Sequence, residues 1–166
     1  VIDEIFKDLG GYDLGRCVLD VGAGFGRTTR FLLSRGYVVY AVDIDPGVVQ
    51  SLGAELREFV ETGLLKIVHG DVEDLPFSDG ECDSVVSVAL LHHVRHVERA
   101  LGEMLRVARR VVLVYDWTPQ SAGVTNPHSE YELAAKMREA LEAAAGLDFD
   151  VYIDRFWYRL RKVIKS

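Results

Sequence analysis

The sequence predicts an α/β fold with seven strands, and three observations predict it. Short β-branched runs alternate with helical stretches from Cys17 to Tyr115. A glycine-rich turn follows the first of these runs, and the chain closes on a helix and two closely spaced β-rich runs. Strands that alternate with helices form a parallel sheet. Two strands joined by a very short connection must run antiparallel, so the terminal strand is expected to oppose the rest.

The first run, residues 17–21, is apolar except for Asp20 and leads straight into Gly22-Ala23-Gly24-Phe25-Gly26. Glycine on alternate positions lets backbone approach a ligand closely. Residues 27–35 then carry Phe31, Leu32 and Leu33 to a stop at Gly36, which completes the strand, turn and helix of a nucleotide-type site. A dinucleotide fingerprint would place a third glycine at position 27, where this chain has Arg27. Asp20, just ahead of the first glycine, is also poorly suited to a pyrophosphate and better suited to a cationic ligand. Taken alone, the turn is equally compatible with a structural role or another nucleotide site.

With 166 residues and 49% hydrophobic side chains, the chain is long enough for one domain with a real core and too short for two. One domain over residues 1–166 is expected, with residues 1–15 as a short cap helix and lead-in and residues 16–166 as the core. No apolar run approaches the roughly 20 residues that span a bilayer, and Asp3, Glu4 and Asp8 are unlike a signal peptide. A cytoplasmic protein without membrane contact is the expectation, although the chain opens on Val rather than Met and residues could precede it. The net charge of −7 and sequence pI near 5.2 oppose direct binding to nucleic acid. The basic tail from Arg155 to Lys165 reads as a solvated edge strand. Cys17 and Cys82 border central strands and read as core thiols.

In chain order, Ile2, Ile5, Phe6 and Leu9 have helical spacing, closed by Gly10-Gly11. A second strand over residues 37–42 ends in Asp43-Ile44-Asp45-Pro46. Asp45 before Pro46 is a helix N-cap with proline at the first helical position. Asp43 stands where a nucleotide fold presents a bidentate acceptor to a ribose diol, with a second capping carboxylate as the alternative. The helix that follows carries Val48, Val49, Leu52, Leu56 and Phe59 on one face and stops at Gly63. Residues 64–68 form the third strand, followed by Gly70-Asp71-Val72-Glu73-Asp74-Leu75-Pro76-Phe77, in which Asp71 alone could simply start a turn.

The fourth strand, residues 82–88, runs into Ala89-Leu90-Leu91-His92-His93. Ligands of parallel sheets lie at the carboxyl ends of strands, so residues 87–93 are expected at the site. One histidine would act as a base or orient a substrate, and the other would pack or cap the next helix. No metal is expected: adjacent histidines lack the spacing for joint zinc ligation, no cysteine pair accompanies them, and His96 is the only further histidine close in sequence. Val97, Leu101, Met104, Leu105 and Ala108 stripe the next helix. Residues 108–110 then lead directly into a fifth strand over residues 111–115, with Asp116 and Trp117 at its carboxyl end. A capping box at Ser129-x-x-Glu132 opens a helix bearing Ala134, Met137, Leu141 and Ala144 and ending at Gly146. Residues 149–153 and 156–164 are the closing pair of strands, with only Asp154-Arg155 between them.

Asp20-x-Gly22-x-Gly24-x-Gly26, Val42-Asp43-Ile44, Gly70-Asp71-x-x-x-Leu75-Pro76-Phe77 and His92-His93 agree in order, spacing and register. Together they resemble the motifs of the class I, Rossmann-like S-adenosylmethionine-dependent methyltransferases, in particular the small type 11 methyltransferase-domain family. The likeness runs from Val18 to Ile164. It implies a doubly wound, seven-stranded, mostly parallel sheet with helices on both faces and an antiparallel C-terminal strand. It also implies S-adenosyl-L-methionine as cofactor. By the same resemblance, Asp20, Gly22, Ala23, Gly24 and Gly26 hold the cofactor at the glycine turn, Asp43 takes the ribose hydroxyls, and Ile44 walls the adenine. Asp71 would accept from the adenine amine, the Val72 amide would meet a ring nitrogen, and Ser87 would face the transferred methyl. His92, His93 and Asp116 are the catalytic candidates.

Two departures matter. The Pro-Gly-Gly turn of many relatives is absent before the fifth strand, which affects only a connection. An Asn-Pro-Pro-Tyr signature after the fourth strand is also absent, which argues against an amide or exocyclic-amine acceptor. The His-His form is similar to methyltransferases of tRNA wobble uridine, but the acidity of the chain opposes that substrate. A small-molecule acceptor is therefore favoured. The alternatives are a non-catalytic cofactor-binding or partner subunit, and a protein or tRNA methyltransferase that needs an activating partner; a homo-oligomer is also open. A nicotinamide-dependent oxidoreductase is opposed by Arg27 and Asp20.

Overall fold

The computed structural model describes residues 1–165; Ser166 lies outside them. Seven strands, β1 (Cys17–Val21), β2 (Val38–Asp43), β3 (Leu65–His69), β4 (Cys82–Val88), β5 (Ala108–Trp117), β6 (Asp150–Ile153) and β7 (Trp157–Val163), make one sheet. Their spatial order is β3-β2-β1-β4-β5-β7-β6. The first five pair in parallel, and β7 lies antiparallel between β5 and β6. The expected reversal of the last strand is therefore present.

Six helices accompany the sheet: α1 (Ile2–Leu9), α2 (Arg27–Ser34), α3 (Pro46–Glu55), α4 (Arg57–Glu61), α5 (Val97–Val107) and α6 (Glu130–Gly146). Successive residues of a strand face opposite sides, and the core divides accordingly. Leu19, Val85 and Val112 pack with Leu101 and Met104 of α5 and Ala140 and Ala144 of α6. Val18, Val86 and Leu113 pack instead with Ile5 and Leu9 of α1, Leu32 of α2 and Leu52 of α3. Because both faces are covered, the central strands are mostly apolar rather than alternating, with Asp20, Ser84, Ser87 and Asp116 as buried polar exceptions. The expected doubly wound architecture is the one observed.

α1 is anchored more firmly than a thin cap. The Tyr115 hydroxyl donates to Asp8 Oδ2 at 2.6 Å, and Arg159 Nη1 donates to Asp8 Oδ1 at 2.8 Å, tying the helix to β5 and β7.

Several boundaries differ from expectation. The helix after Pro46 breaks at Leu56, which is buried and leaves helical geometry (φ −110°, ψ 27°), so α3 and α4 are separate. Residues 108–110 belong to β5 itself, with Ala108 paired to Cys82. Phe156 joins Asp154 and Arg155 in the closing turn, where the Asp154 amide donates to the Trp157 carbonyl at 2.8 Å. Gly146 is the last residue of α6, and the left-handed residue beyond it is Asp148 (φ 63°). Cys17 and Cys82 are free thiols on adjacent strands, their sulfurs 3.1 Å apart.

Strand order turns back between β1 and β4: β2 and β3 extend to one side and β5 to the other. Ligands of open α/β sheets bind beyond the carboxyl ends of the strands at such a switch point.

Candidate active site

The glycine turn leaves β1 with positive φ at Gly22 (79°), Gly24 (53°) and Gly26 (92°). At two of these positions a side chain would be strained by the backbone and crowded by neighbours as well. A Cβ on Gly22 would meet Leu90 Cδ1 at 2.9 Å, and one on Gly26, the N-cap of α2, would meet Leu52 Cδ1 at 2.5 Å. The amides of Gly22 and Ala23 donate to the Val42 carbonyl at 2.9 and 3.2 Å, locking the turn to the end of β2. Asp43 completes this junction. Its Oδ2 accepts from the Gly24 amide and its Oδ1 from the Asp45 amide, both at 3.0 Å, which leaves each oxygen a free lone pair and a fixed direction. Asp45 is the N-cap its sequence position predicts, accepting from the Gly47 amide at 2.8 Å.

A cavity of about 230 Å³ opens beside this junction, and Gly22, Asp43, Ile44, Asp71, Val72 and His93 are among its lining residues. Ile44 is 64% exposed, an apolar surface presented to the opening. Asp71 starts a turn as well as facing the cavity, since its Oδ1 accepts from the Glu73 amide at 2.9 Å. Four expected cofactor residues, Asp20, Ala23, Gly26 and Ser87, are buried and do not line it. Ala23 is buried in the turn. Ser87 is fully buried opposite Val21 and Val114, and its hydroxyl finds no partner in the protein, because the cavity begins only past the end of β4, at Leu90. Asp20 is 1% exposed, with Thr29 Oγ1 donating to its Oδ2 at 2.6 Å and its Oδ1 unpartnered. Burial raises the Asp20 pKa to about 7, opposed by the Thr29 hydrogen bond and assisted by the nearby charge of Asp43. Gly24 lines a neighbouring depression with Phe25 and Asp45.

Past β4 the chain bends sharply. Ala89 has φ 60°, rare for a residue with a side chain, and a 3-10 turn over Leu91–His93 follows. The bend brings His92 Nδ1 to 2.7 Å from Asp116 Oδ1, with only 6% and 1% of the two side chains exposed. An ionised carboxylate can only accept, so the His92 Nδ1–H donates to Asp116 Oδ1, which in the neutral ring leaves the Nε2 lone pair free. Tyr158, also fully buried, is held well above the usual phenol pKa by desolvation and by Asp116. The His93 ring lies 4.0 Å from the His92 ring, and His128 lies 4.7 and 5.3 Å from the two. Partial burial lowers the His93 pKa, followed by the influence of His92 and His128, while Asp116 opposes the shift.

A second cavity of about 310 Å³ is lined by His92 and His128 and, along α6, by Tyr131, Glu132 and Lys136. His92 and His93 thus stand between the two cavities. His96 points elsewhere, its Nδ1 2.7 Å from Glu73 Oε1.

His128, Arg95 and Tyr131 were not singled out in the sequence. Arg95 lines the first cavity, and the other two line the second. A signal for His128 existed: the helix after a parallel strand starts near that strand's carboxyl end, and the residue just before the Ser129 cap therefore falls on the ligand side. Nothing local marks Tyr131.

The switch-point cavity, the glycine turn and the acid-tipped β2 define an α/β nucleoside-binding domain. A family model described as a methyltransferase domain matches residues 19–114, more than half of the chain, and the chain belongs to that family, which uses S-adenosylmethionine. A demethylmenaquinone methyltransferase of Thermobifida fusca is 38% identical over 95 residues, covering 57% of this chain and 40% of that protein. A ubiquinone/menaquinone biosynthesis C-methyltransferase of Pseudomonas fluorescens is 31% identical over 134 residues, 76% of this chain and 52% of that one. The chain spans about half the length of these curated relatives, or less.

Among solved structures, a SAM-dependent methyltransferase from Aquifex aeolicus superposes with a TM-score of 0.76 at 17% identity, over 98% of this chain and 89% of that chain. Magnesium protoporphyrin IX methyltransferase from Synechocystis, with bound SAH, gives 0.71 at 19% identity, over 99% and 81%. At these identities the likeness establishes the class I fold. Among the described residues, no helix is long and apolar enough to cross a membrane.

Proposed function

We propose that this chain carries out S-adenosylmethionine-dependent methyl transfer to a small molecule, with the cofactor in the first cavity and the acceptor in the second. The observation that carries this reading is the first cavity itself. Its lining includes Asp43 and Asp71 beside exposed Ile44, with Glu73 as a further acid, and it reaches His93 next to the second cavity. Asp43 suits a ribose diol, Asp71 the adenine amine, and Ile44 the adenine face. The unpartnered Asp20 oxygen behind the turn suits a ligand carrying an ammonium and repels one carrying phosphate.

When bound, the cofactor supplies a methyl group made electrophilic by its sulfonium. The chain's own part is alignment, for which positioning alone can supply roughly 7–11 kcal/mol. The imidazole cluster, anchored by Asp116, eases loss of the acceptor's proton, and acid–base help of this kind contributes about 10²–10⁴-fold. The second cavity, at about 310 Å³, has the size of a small-molecule site. The relatives named as quinone methyltransferases support a ring compound whose oxygen or carbon becomes nucleophilic on losing a proton.

Calorimetry with S-adenosylmethionine, S-adenosylhomocysteine and NAD tests the cofactor, and tighter binding of NAD would overturn it. Incubation with methyl-labelled cofactor and fractionated extract tests the acceptor. Label is expected among small metabolites, and label in RNA or protein would replace the acceptor class.

A further inference from the structure

The three histidines at the junction of the cavities have a feature that acid–base chemistry does not require. One ligand nitrogen from each of His92, His93 and His128 lies within 4.8 Å of the others, and among the described residues this is the one group of three or more His, Cys, Asp or Glu so disposed. His92 Nδ1 is committed to Asp116 at 2.7 Å, and His128 Nδ1 lies 3.7 Å from Glu132 Oε2. A carboxylate behind the imidazole is the usual outer partner of a metal-bound histidine, fixing its tautomer and making the other nitrogen a better donor.

We propose that His92, His93 and His128 bind one divalent transition-metal ion of the zinc class, with an open coordination position toward the second cavity. Three imidazoles suit zinc and its first-row neighbours rather than magnesium or calcium, which prefer oxygen. Three protein ligands with a fourth position free is the pattern of reactive rather than structural zinc. Nitrogens around a tetrahedral ion at about 2.0–2.1 Å lie ~3.3 Å apart, so the set must contract on binding. His92 is held by Asp116, and the less buried His93 and His128 rotate onto it. Mere packing explains the arrangement less well, because apolar side chains would fill the same space without burying the Asp116 carboxylate.

The catalytic use of the ion rests on the methyl-transfer reading; its binding does not. At the open position an acceptor oxygen would be acidified by the charge of the metal. His92 would then activate the acceptor through the ion rather than by taking the proton itself. Adjacent histidines cannot supply such a set alone, and the fold completes it with a residue from the segment that joins β5 to α6.

The test uses the full chain without a polyhistidine tag, stripped with a chelator and titrated with Co²⁺ and then Zn²⁺, with and without S-adenosylhomocysteine. One Co²⁺ per chain is expected, giving the intense visible bands of a four-coordinate site, which one equivalent of Zn²⁺ abolishes. Asp116→Asn should weaken binding about 10–100-fold, and His128→Ala at least as much as the upper end of that range. His96→Ala should leave it unchanged. Calorimetry of S-adenosylhomocysteine with His128→Ala checks the fold and separates this proposal from the cofactor assignment. Equal metal affinity in the wild-type and His128→Ala proteins would overturn the site, whatever the cofactor result.

Discussion

On the β1-β2-β3 side of the sheet, the candidate site residues that line the first cavity lie at or just past a strand end: Gly22 follows β1, Asp43 closes β2 and Asp71 follows β3. On the β4-β5 side the site is assembled from three separate segments, with His92 after β4, Asp116 within β5 and His128 ahead of α6. The first half is held largely by backbone amides, as where Gly24 and Asp45 donate to Asp43. The second is held by side chains touching side chains. Substitutions in the two halves should therefore separate binding from turnover.

The largest effect is expected at His92. His92→Ala should lower turnover on the acceptor by about 10²-fold and leave cofactor affinity nearly unchanged. The substitution also leaves Asp116 buried without its partner, so rates must be expressed per folded molecule. His92→Gln, whose amide can still donate to Asp116, separates lost chemistry from lost stability. Preserved turnover in both variants would make His92 a packing residue.

Asp43→Ala is the corresponding break in the other half. Hydrogen bonds to a charged acceptor are worth roughly 1.5–3 kcal/mol, and cofactor affinity should fall by that much while the domain stays folded. Calorimetry that finds the affinity intact would move the ribose contact to another residue.

The same division explains what could be read from the sequence. Glycines with positive φ, acids closing strands and an Asp-Pro helix start are local devices, so Gly22, Gly26, Asp43 and Asp45 were legible with their surroundings. The sheet was legible because buried parallel strands are apolar runs and the closing hairpin is short. The break at buried Leu56 was not, since the apolar stripe continues past it to Phe59 and no glycine or proline marks the position. Ser87 was expected at the ligand; it is fully buried, and its hydroxyl has no partner in the protein. The His92-Asp116 contact and the arrival of His128 depend on how β4, β5 and α6 pack. No spacing within the His-His motif encodes that.

Asp20 gives a smaller and pH-dependent sharpening of the cofactor half. Its folded pKa, raised by burial to about 7, lies above that of an unfolded aspartate. The folded protein therefore holds more protons between about pH 4 and 7, and the stability this group contributes is lost as pH rises through that window. Cofactor affinity should run the other way, because an ammonium ligand favours the ionised carboxylate. Between pH 7 and 6 the ionised fraction falls about five-fold while an α-ammonium stays protonated, so affinity should fall by about that factor. Asp20→Asn should flatten the profile, and a slope that persists in the variant would assign the titration elsewhere.

The smallest effect tests whether the halves are independent. Ser129 Oγ accepts from the Glu132 amide at 3.1 Å, satisfying one of the free amides at the start of α6. Removing such a cap usually costs about 1 kcal/mol, and the low end, ~0.5 kcal/mol, is expected here. α6 is also held by buried Leu133, Ala140 and Ala144, which do not depend on its first turn. Ser129→Ala should therefore lower the urea midpoint slightly at unchanged m-value. Fraying of that turn would loosen His128 and Tyr131, which line the second cavity, and leave Gly22, Asp43 and Asp71 untouched. The acceptor KM should rise while the dissociation constant for S-adenosylhomocysteine stays the same. A matching loss of cofactor affinity would mean that the β4-β5 side supports the glycine turn, most directly through Leu90, which packs against Gly22.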